Sequence, residues 1–370
     1  MSAGWELFLV ETLTGRVGPK LPASAEGSWT DTINAATQVE ATVPTPWLLR
    51  QDRIWWSRWA GSILACHDGE PIVLGPITDE PSGNPEFTTL TGGGLWSLLE
   101  KRIVTPGDHT DGSRLAKASV TYTEGSLGTI ARRIVEDCQD RPQGWFPISY
   151  GSPVEEGSTR TRTYKGFNLG NNNVAKRLQE ISEVINGPDI AFRPRWRQRD
   201  AVVEWVMFHG TEGLPEIANS HLYVVDLTAP RAGVAVVDVK AGSDGVQRCY
   251  ATGEGQDEAM VIVVESTRQL GRGVPFLEDV EADTQTANPA LLSSRAKARL
   301  GVSRTVQVSA ELGIRDEMPL HTWWAGDEFE VQFPAGWTQL DAGVYRMRCI
   351  QRSGDFTSGT VKVEYQPEGI

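Results

Sequence analysis

Along the first hundred positions apolar and polar residues alternate as they do in half-buried strands. Trp5, Leu7 and Leu9 share one face, and Val39, Ala41 and Val43 another before Pro44 and Pro46 end the run. Phe8 and Val10 make the first strand apolar on both sides. Arg53 to Ala65 and Pro71 to Thr78 read as two strands around an Asp68-Gly69 turn, a dipeptide that accepts the left-handed dihedrals of a tight hairpin. A further strand is expected over Glu86 to Thr91, after which Gly92-Gly93-Gly94 leads into a short helix carrying Leu95, Leu98 and Leu99 and ending near Arg102. This segment predicts a small β-barrel or sandwich closed by one helix.

The period then changes. Leu127, Ile130, Ile134 and Cys138 fall at helical spacing, with Ser126 as cap and Glu124 adding negative charge near the N-terminal end. A second helix carries Val174, Leu178, Ile181 and Ile185, follows Asn171-Asn172-Asn173 and stops at Gly187-Pro188. Each has one apolar stripe to lay on a sheet, whose expected members are Asp189 to Trp196 and Ala201 to Phe208, joined by a polar turn at Arg199-Asp200. Strands return at Leu222 to Leu227, Val234 to Val239, Gln247 to Thr252 and Met260 to Glu265. Asn288-Pro289 opens a helix expected to run to Leu300, with Gly301 ending it. Val306 to Leu312, Glu328 to Phe333, Val344 to Arg352 and Thr360 to Tyr365 complete a compact β unit. The fold class is therefore α+β and mostly β, with several small β-barrel or sandwich domains around a helix-containing middle domain. We expect four segments, 1–112, 113–215, 216–287 and 288–370, and find no repeat of fixed period.

Composition narrows the function. Hydrophobic content of 39% and charged content of 22% are those of an ordinary globular chain, and no stretch reaches the ~20 apolar residues of a membrane helix. Met1 to Glu6 lacks the basic start and apolar run of a signal peptide, so synthesis in a cytoplasm is expected. A net charge of −13 disfavours stable nucleic-acid binding, which needs a basic footprint. It suits a surface past which nucleic acid slides. Cys66, Cys138, Cys249 and Cys349 are far apart, which reads as buried thiols rather than a zinc site or disulfide framework.

Candidate chemistry is sparse. Asp108, His109 and Asp111 lie in a Gly/Asp-rich connection without the spacing of a calcium loop, and His67-Asp68 sits on the expected turn. Gly92-Gly93-Gly94 lacks the Lys-Ser/Thr that follows a phosphate loop. Glu155-Glu156 and Asp279 with Glu281 are acids without a partner motif. With five histidines and no nucleophile or metal signature, no catalytic, cofactor-binding or metal residue is assigned.

Two features suit contact surfaces. Thirteen tryptophans include Trp55, Trp56 and Trp59 in one stretch and Trp323 and Trp324 in another; large aromatics dominate core and interface energetics. Arg193, Arg195, Arg197 and Arg199 alternate with other residues, so in a strand they would line one face over about 20 Å. That row is a candidate subunit interface for carboxylates of a neighbour, or a solvated edge strand guarded by charge.

The order of elements resembles that of the tail-tip hub (baseplate hub) proteins of long-tailed bacteriophages, especially minor tail proteins of phages infecting actinobacteria. The resemblance rests on Trp5-Glu6-Leu7-Phe8-Leu9-Val10, on the helix from Val174 to Ile181 leading into Ile190-Ala191-Phe192-Arg193-Pro194, and on Pro319-Leu320-His321 before Gly326-Asp327-Glu328. It implies a virion structural protein whose N- and C-terminal barrels are equivalent blocks of a homotrimeric ring, matching a sixfold tail tube to threefold parts. Implied partners are the distal tail protein ring, the tape-measure protein and other tail-tip or receptor-binding proteins. The chain ends at Ile370 directly after its last expected strand, so no fused lytic or receptor-binding extension is expected. The alternative is a non-catalytic carbohydrate-binding tail module in which Trp55, Trp56 and Trp59, or Trp323 and Trp324, stack on host wall sugars. A tail-associated hydrolase is the third reading, and lacks a motif.

Overall fold

The structure is a computed structural model that describes residues 4–106, 111–123, 125–217, 221–228, 234–241, 246–255, 257–267, 275–282, 286–302, 306–314 and 317–367. The N-terminal unit contains β1 (Trp5–Glu11), β2 (Val17–Lys20), β3 (Glu26–Thr32), β4 (Gln38–Pro44), the short helix α1 (Thr45–Leu48), β5 (Gly61–His67), β6 (Glu70–Pro76), β7 (Ser82–Gly83), β8 (Phe87–Gly93) and helix α2 (Leu95–Leu99). Its strands fall into two sheets. One has the order β2-β1-β5-β6, and the other takes β3, β4, β8 and β7 into a larger sheet. The described strands close no barrel here; an Ile77–Gly92 bridge joins the two layers along one side.

Trp55, Trp56 and Trp59 do not lie in a strand. Arg53–Trp55 forms a 3-10 turn, and β5 begins only at Gly61. The expected hairpin at Asp68-Gly69 is present, with φ of 51° and 78°, and His67 Nδ1 lies 3.1 Å from Asp68 Oδ2 across that turn.

The middle unit contains α3 (Gly112–Lys117), β9 (Ser119–Tyr122), α4 (Leu127–Gln139), β10 (Ile148–Tyr150), β11 (Arg162–Lys165), α5 (Val174–Ser182), β12 (Ile190–Gln198) and β13 (Val202–His209). The expected Ser126 cap forms, its Oγ accepting from Thr129 N–H, and of the three asparagines before the second helix Asn173 is the cap, its Oδ1 accepting from Lys176 N–H. Glu124, Asp108 and His109 lie outside the described residues, while Asp111 caps α3 through Ser113. Ile185 falls beyond the end of α5 and is exposed. β12 and β13 form the expected hairpin, with Asp200 at φ 58°, and β10 adds to it in parallel.

Both faces of β1 are apolar because both are covered. Trp5, Leu7 and Leu9 enter the largest core, shared with the ten-stranded sheet, whereas Val10, Leu64, Cys66 and Leu74 pack against α4, α5 and β13. Each such Leu or Val contributes about 1.5–3 kcal/mol when fully buried. Two indoles tie the layers, Trp205 Nε1 donating to the Leu74 carbonyl (3.1 Å) and Trp196 Nε1 to that of Gly69 (2.8 Å).

The remainder comprises β14 (Tyr223–Asp226), β15 (Val234–Ala241), β16 (Arg248–Thr252), β17 (Ile262–Ser266), β18 (Glu278–Ala282), α6 (Pro289–Val302), β19 (Val306–Gly313), β20 (Glu328–Phe333), β21 (Gly343–Asp355) and β22 (Thr360–Pro367). β16, β17 and β18 make a separate small sheet backed by α6 through Cys249, Ala251, Leu292 and Ala296. Asn288 Oδ1 accepts from Ala290 N–H at the start of α6, which continues past Gly301 to Val302. The main path of the large sheet runs β15-β19-β22-β21-β3-β4-β8-β7, and β20, carrying β14, also pairs with β21. All four cysteines are free and buried.

Candidate assembly surfaces

The antiparallel pairings of the N-terminal strands recur among the C-terminal ones. β3 and β4 pair as β15 and β19 do, β4 and β8 as β19 and β22, and β5 and β6 as β20 and β21, all antiparallel. Val39 opposite Gly92 takes the place of Val308 opposite Tyr365. Before β5 and before β20 the chain makes a 3-10 turn, Arg53–Trp55 or Leu320–Thr322, followed at once by a tryptophan, Trp56 or Trp323. A residue of positive φ comes next, Trp59 (63°) or Gly326 (100°). Trp59 N–H donates to the Ile77 carbonyl and Ile77 N–H back to Gly61; Gly326 donates to Cys349 and Cys349 back to Asp327. The copies differ in three respects: β1 runs antiparallel to β5 and β14 parallel to β20, β2 has no counterpart among the described residues, and β21 alone stands for β6 and β7. The sequence shows little of this duplication: Trp56 and Trp323 correspond, but as the second member of one Trp-Trp pair and the first member of the other.

Within the chain one unit is sewn to the other. β21 outruns β20, and its end, Gln351 to Asp355, pairs with Thr32 to Ser28 of β3. Arg352, fully buried, anchors this seam: its Nε donates to Asp31 Oδ2 (3.0 Å) and its Nη1 to the Leu320 carbonyl (2.7 Å). The middle unit joins through Arg193, whose Nη2 lies 3.3 Å from Asp327 Oδ1, and through Asp189, which binds Arg348 and accepts from Asn34 Nδ2 (3.1 Å). Burial pushes the Asp327 carboxyl up despite the opposing charge of Arg193, and burial likewise pushes the Arg193 guanidinium down.

Among the described residues the seam's counterpart has no partner strand: β15 ends the large sheet on one side and β7 on the other. Ser82 pairs with Thr89 as Ser353 pairs with Lys362, so β7 stands where the end of β21 stands in the other copy. β15 stands where β3 stands.

The arginine row is divided by its surroundings. Arg193 is enclosed as described, Arg195 lies against Glu204 (2.5 Å) and Ser149, and Arg199 against Glu70 (2.8 Å). A bulge between Trp196 and Gln198 breaks the alternation, and exposed Arg197 has no carboxylate partner among the described residues. Trp323 and Trp324 are 1% and 9% exposed, Trp324 in contact with both Arg193 and Arg352, so this pair offers no face to a sugar. Trp56 is equally buried, and Arg16 and Arg58 lie over the rings of Trp55 and Trp59. Glu155 accepts from Glu212 N–H, and Asp279 pairs with Arg299. Among the described residues no cluster of His, Cys, Asp and Glu is arranged to hold a metal, and no helix is long and apolar enough to cross a membrane.

No protein-family model matches the chain, and no curated protein matches it in sequence. Among solved structures it is similar to a tail protein from Neisseria meningitidis, at 12% identity and a TM-score of 0.57, covering 99% of this chain and 98% of that one. A prophage 43 kDa tail protein from Shewanella oneidensis gives 12% identity and 0.55 over 98% of each chain. The chain has a tail-protein fold. A prophage tail protein from Listeria monocytogenes shares it at 8% identity and a TM-score of 0.51, covering 98% of this chain and 94% of that one. The mostly β architecture expected from the sequence is the one these tail proteins have.

Proposed function

We propose that the protein is a non-enzymatic structural subunit of a phage tail tip, three copies of which form the hub ring that closes the tail tube and connects it to distal tail or receptor-binding proteins. The observation that carries this reading is the duplication. Two equivalent units per chain turn threefold symmetry into six similar positions, the number needed beneath a sixfold tube. The intrachain seam between β21 and β3 supplies a template for the contact between copies: β15 of one chain lies along β7 of the next, as β3 lies along the end of β21. Closed symmetry removes both exposed sheet edges, which otherwise invite unspecific pairing. The distal tail protein ring and the tape-measure protein are the neighbours this position implies, and an actinobacterial phage is the setting implied by the quoted sequence motifs. The acidic balance of the chain favours a lumen through which DNA passes without sticking.

The same reading divides the chain by sheet. β14, β15 and β19 to β22 form the C-terminal ring unit, and residues 246–302 an inserted module. Arg197 is the member of the arginine row with a charge to offer a neighbour.

Light scattering on a sizing column measures the mass, and a cysteine pair tests the seam. By the duplication Ser82 of one copy stands opposite Lys240 of the next, as Ser353 stands opposite Thr30. Ser82→Cys with Lys240→Cys gives interchain disulfides and a ladder ending at three chains, the native thiols being buried. A monomer at every concentration, with no interchain disulfide, would overturn the ring.

A further inference from the structure

The two seams that the ring requires are built differently. Within the chain, Gln351 to Asp355 of β21 pair with β3, and the ladder continues at both ends: Ile33 N–H donates to the Ile350 carbonyl (3.1 Å) and Phe356 N–H to that of Gly27 (3.1 Å). Between copies the strand on offer is β7, two residues long. Pro81 stands before it and Pro85 after Asn84, and a proline has no N–H with which to extend a ladder. Asn84 turns the chain back at once, its Oδ1 accepting from the Glu86 and Phe87 N–H groups (2.8 and 2.9 Å).

The side-chain anchor differs as well. Ser82 matches Ser353 and Lys240 matches Thr30, so Arg352 corresponds to Pro81 and Asp31 to Ala241, neither of which carries a charge. Arg352 also donates to the Leu320 carbonyl, at the start of one 3-10 turn. At the start of the other, the Arg53 carbonyl already accepts from Ser57 Oγ (2.6 Å) and Ser57 N–H (2.8 Å). The N-terminal unit thus closes by itself the acceptor for which the C-terminal unit uses an arginine of the seam.

We propose, on the ring reading and standing only with it, that the seam between copies is the reversible one: rings form from folded single chains and part into them again, while the seam within each chain stays shut. Opening the inner seam strands the buried guanidinium of Arg352 and the carboxylate of Asp31 without each other. Opening the outer one gives up a few backbone hydrogen bonds, which water replaces. Closure of the ring is then set by the concentration of chains and by whatever holds them side by side.

Sedimentation velocity of the whole chain over a dilution series and a urea series, with far-ultraviolet dichroism recorded on the same samples, tests this. On dilution the trimer is expected to give way to monomers of unchanged dichroism, and in urea the mass is expected to fall before the dichroism does. A trimer that persists until the chain unfolds leaves the ring standing and overturns the reversible seam. A monomer at every concentration, with no disulfide between Ser82→Cys and Lys240→Cys, removes the ring itself and the seam with it. Pro81→Arg with Ala241→Asp, which transfers the anchor to the outer seam, is expected to hold the trimer to about tenfold lower concentration. A trimer that this pair leaves unchanged or weakens overturns the role given to the missing anchor. Should the double variant fail to fold, the two series on the parent chain decide alone.

Discussion

The guanidinium carbon of Arg352 lies 4.1 Å from the ring centroid of Trp324, and that of Arg193 lies 5.5 Å from the same ring, so one indole contacts two largely buried cations from two different units. The electron-rich faces of the indole and the carboxylates of Asp31 and Asp327 make this tolerable. Arg352→Leu leaves Asp31 and the Leu320 and Trp323 carbonyls without their donor. We expect a loss of about 3–5 kcal/mol in urea unfolding. A loss under about 1 kcal/mol would mean that packing alone holds the seam.

Where local chemistry decides structure, the sequence was legible. Ser126 and Asn173 cap their helices through their own side chains, and Asp200 turns the β12–β13 hairpin in the left-handed region. Where partners are remote it was not: Thr32 Oγ1 donates to Gln351 across 319 positions, and nothing near either residue signals that contact. β18, Glu-Asp-Val-Glu-Ala, has one strongly apolar residue and pairs in parallel with β16, so neither periodicity nor a turn announces it. Trp55, Trp56 and Trp59 imitate a strand by composition while the backbone makes a 3-10 turn. The alternation of the arginine row was correct as far as Trp196, but its separate carboxylates come from other strands and turns.

Arg195 and Arg197 should behave differently although two positions apart. Arg195 covers the largely buried carboxylate of Glu204, so Arg195→Glu sets two carboxylates together and lowers monomer stability by about 2 kcal/mol, discounted for the exposure of Arg195. Arg197→Glu should leave the unfolding midpoint unchanged and, on the proposed ring, lower the trimer fraction in sedimentation. An unchanged trimer fraction with Arg197→Glu would remove the arginine row from the interface.

Gly326 and Trp59 occupy corresponding positions of positive φ, yet only one is a glycine. A Cβ at Gly326 would lie 3.0 Å from Ile33 Cδ1 on a backbone that L side chains resist, so Gly326→Ala should cost about 1–2 kcal/mol in thermal unfolding. Trp59→Gly should cost less, because relief of the left-handed backbone offsets the lost ring contact with Arg58. Equal losses from both would show that relief of the left-handed backbone at Trp59 does not offset the lost ring contact.

His209 gives the fold a pH dependence of predictable sign. Its ring is buried at the end of β13, Nδ1 lies 2.9 Å from the Gly210 carbonyl, to which it donates, and Nε2 has no hydrogen-bond partner among the described residues. Burial therefore lowers its pKa below the ordinary 6.5, with Arg132 adding to the effect against the Gly210 hydrogen bond. Below pH 6.5 the unfolded chain takes up a proton that the folded chain refuses. The stabilisation is complete above that pH and is lost as pH falls through the window beneath it, by at most about 1.4 kcal/mol per pH unit for one group. His67, also lowered by burial, contributes with the same sign, so the informative quantity is the difference between variant and parent. His209→Asn, which keeps a donor for the Gly210 carbonyl, should flatten the fall of the urea midpoint between pH 7 and about pH 5. Identical slopes for the two proteins would show that His209 takes up its proton in the folded chain as readily as in the unfolded one.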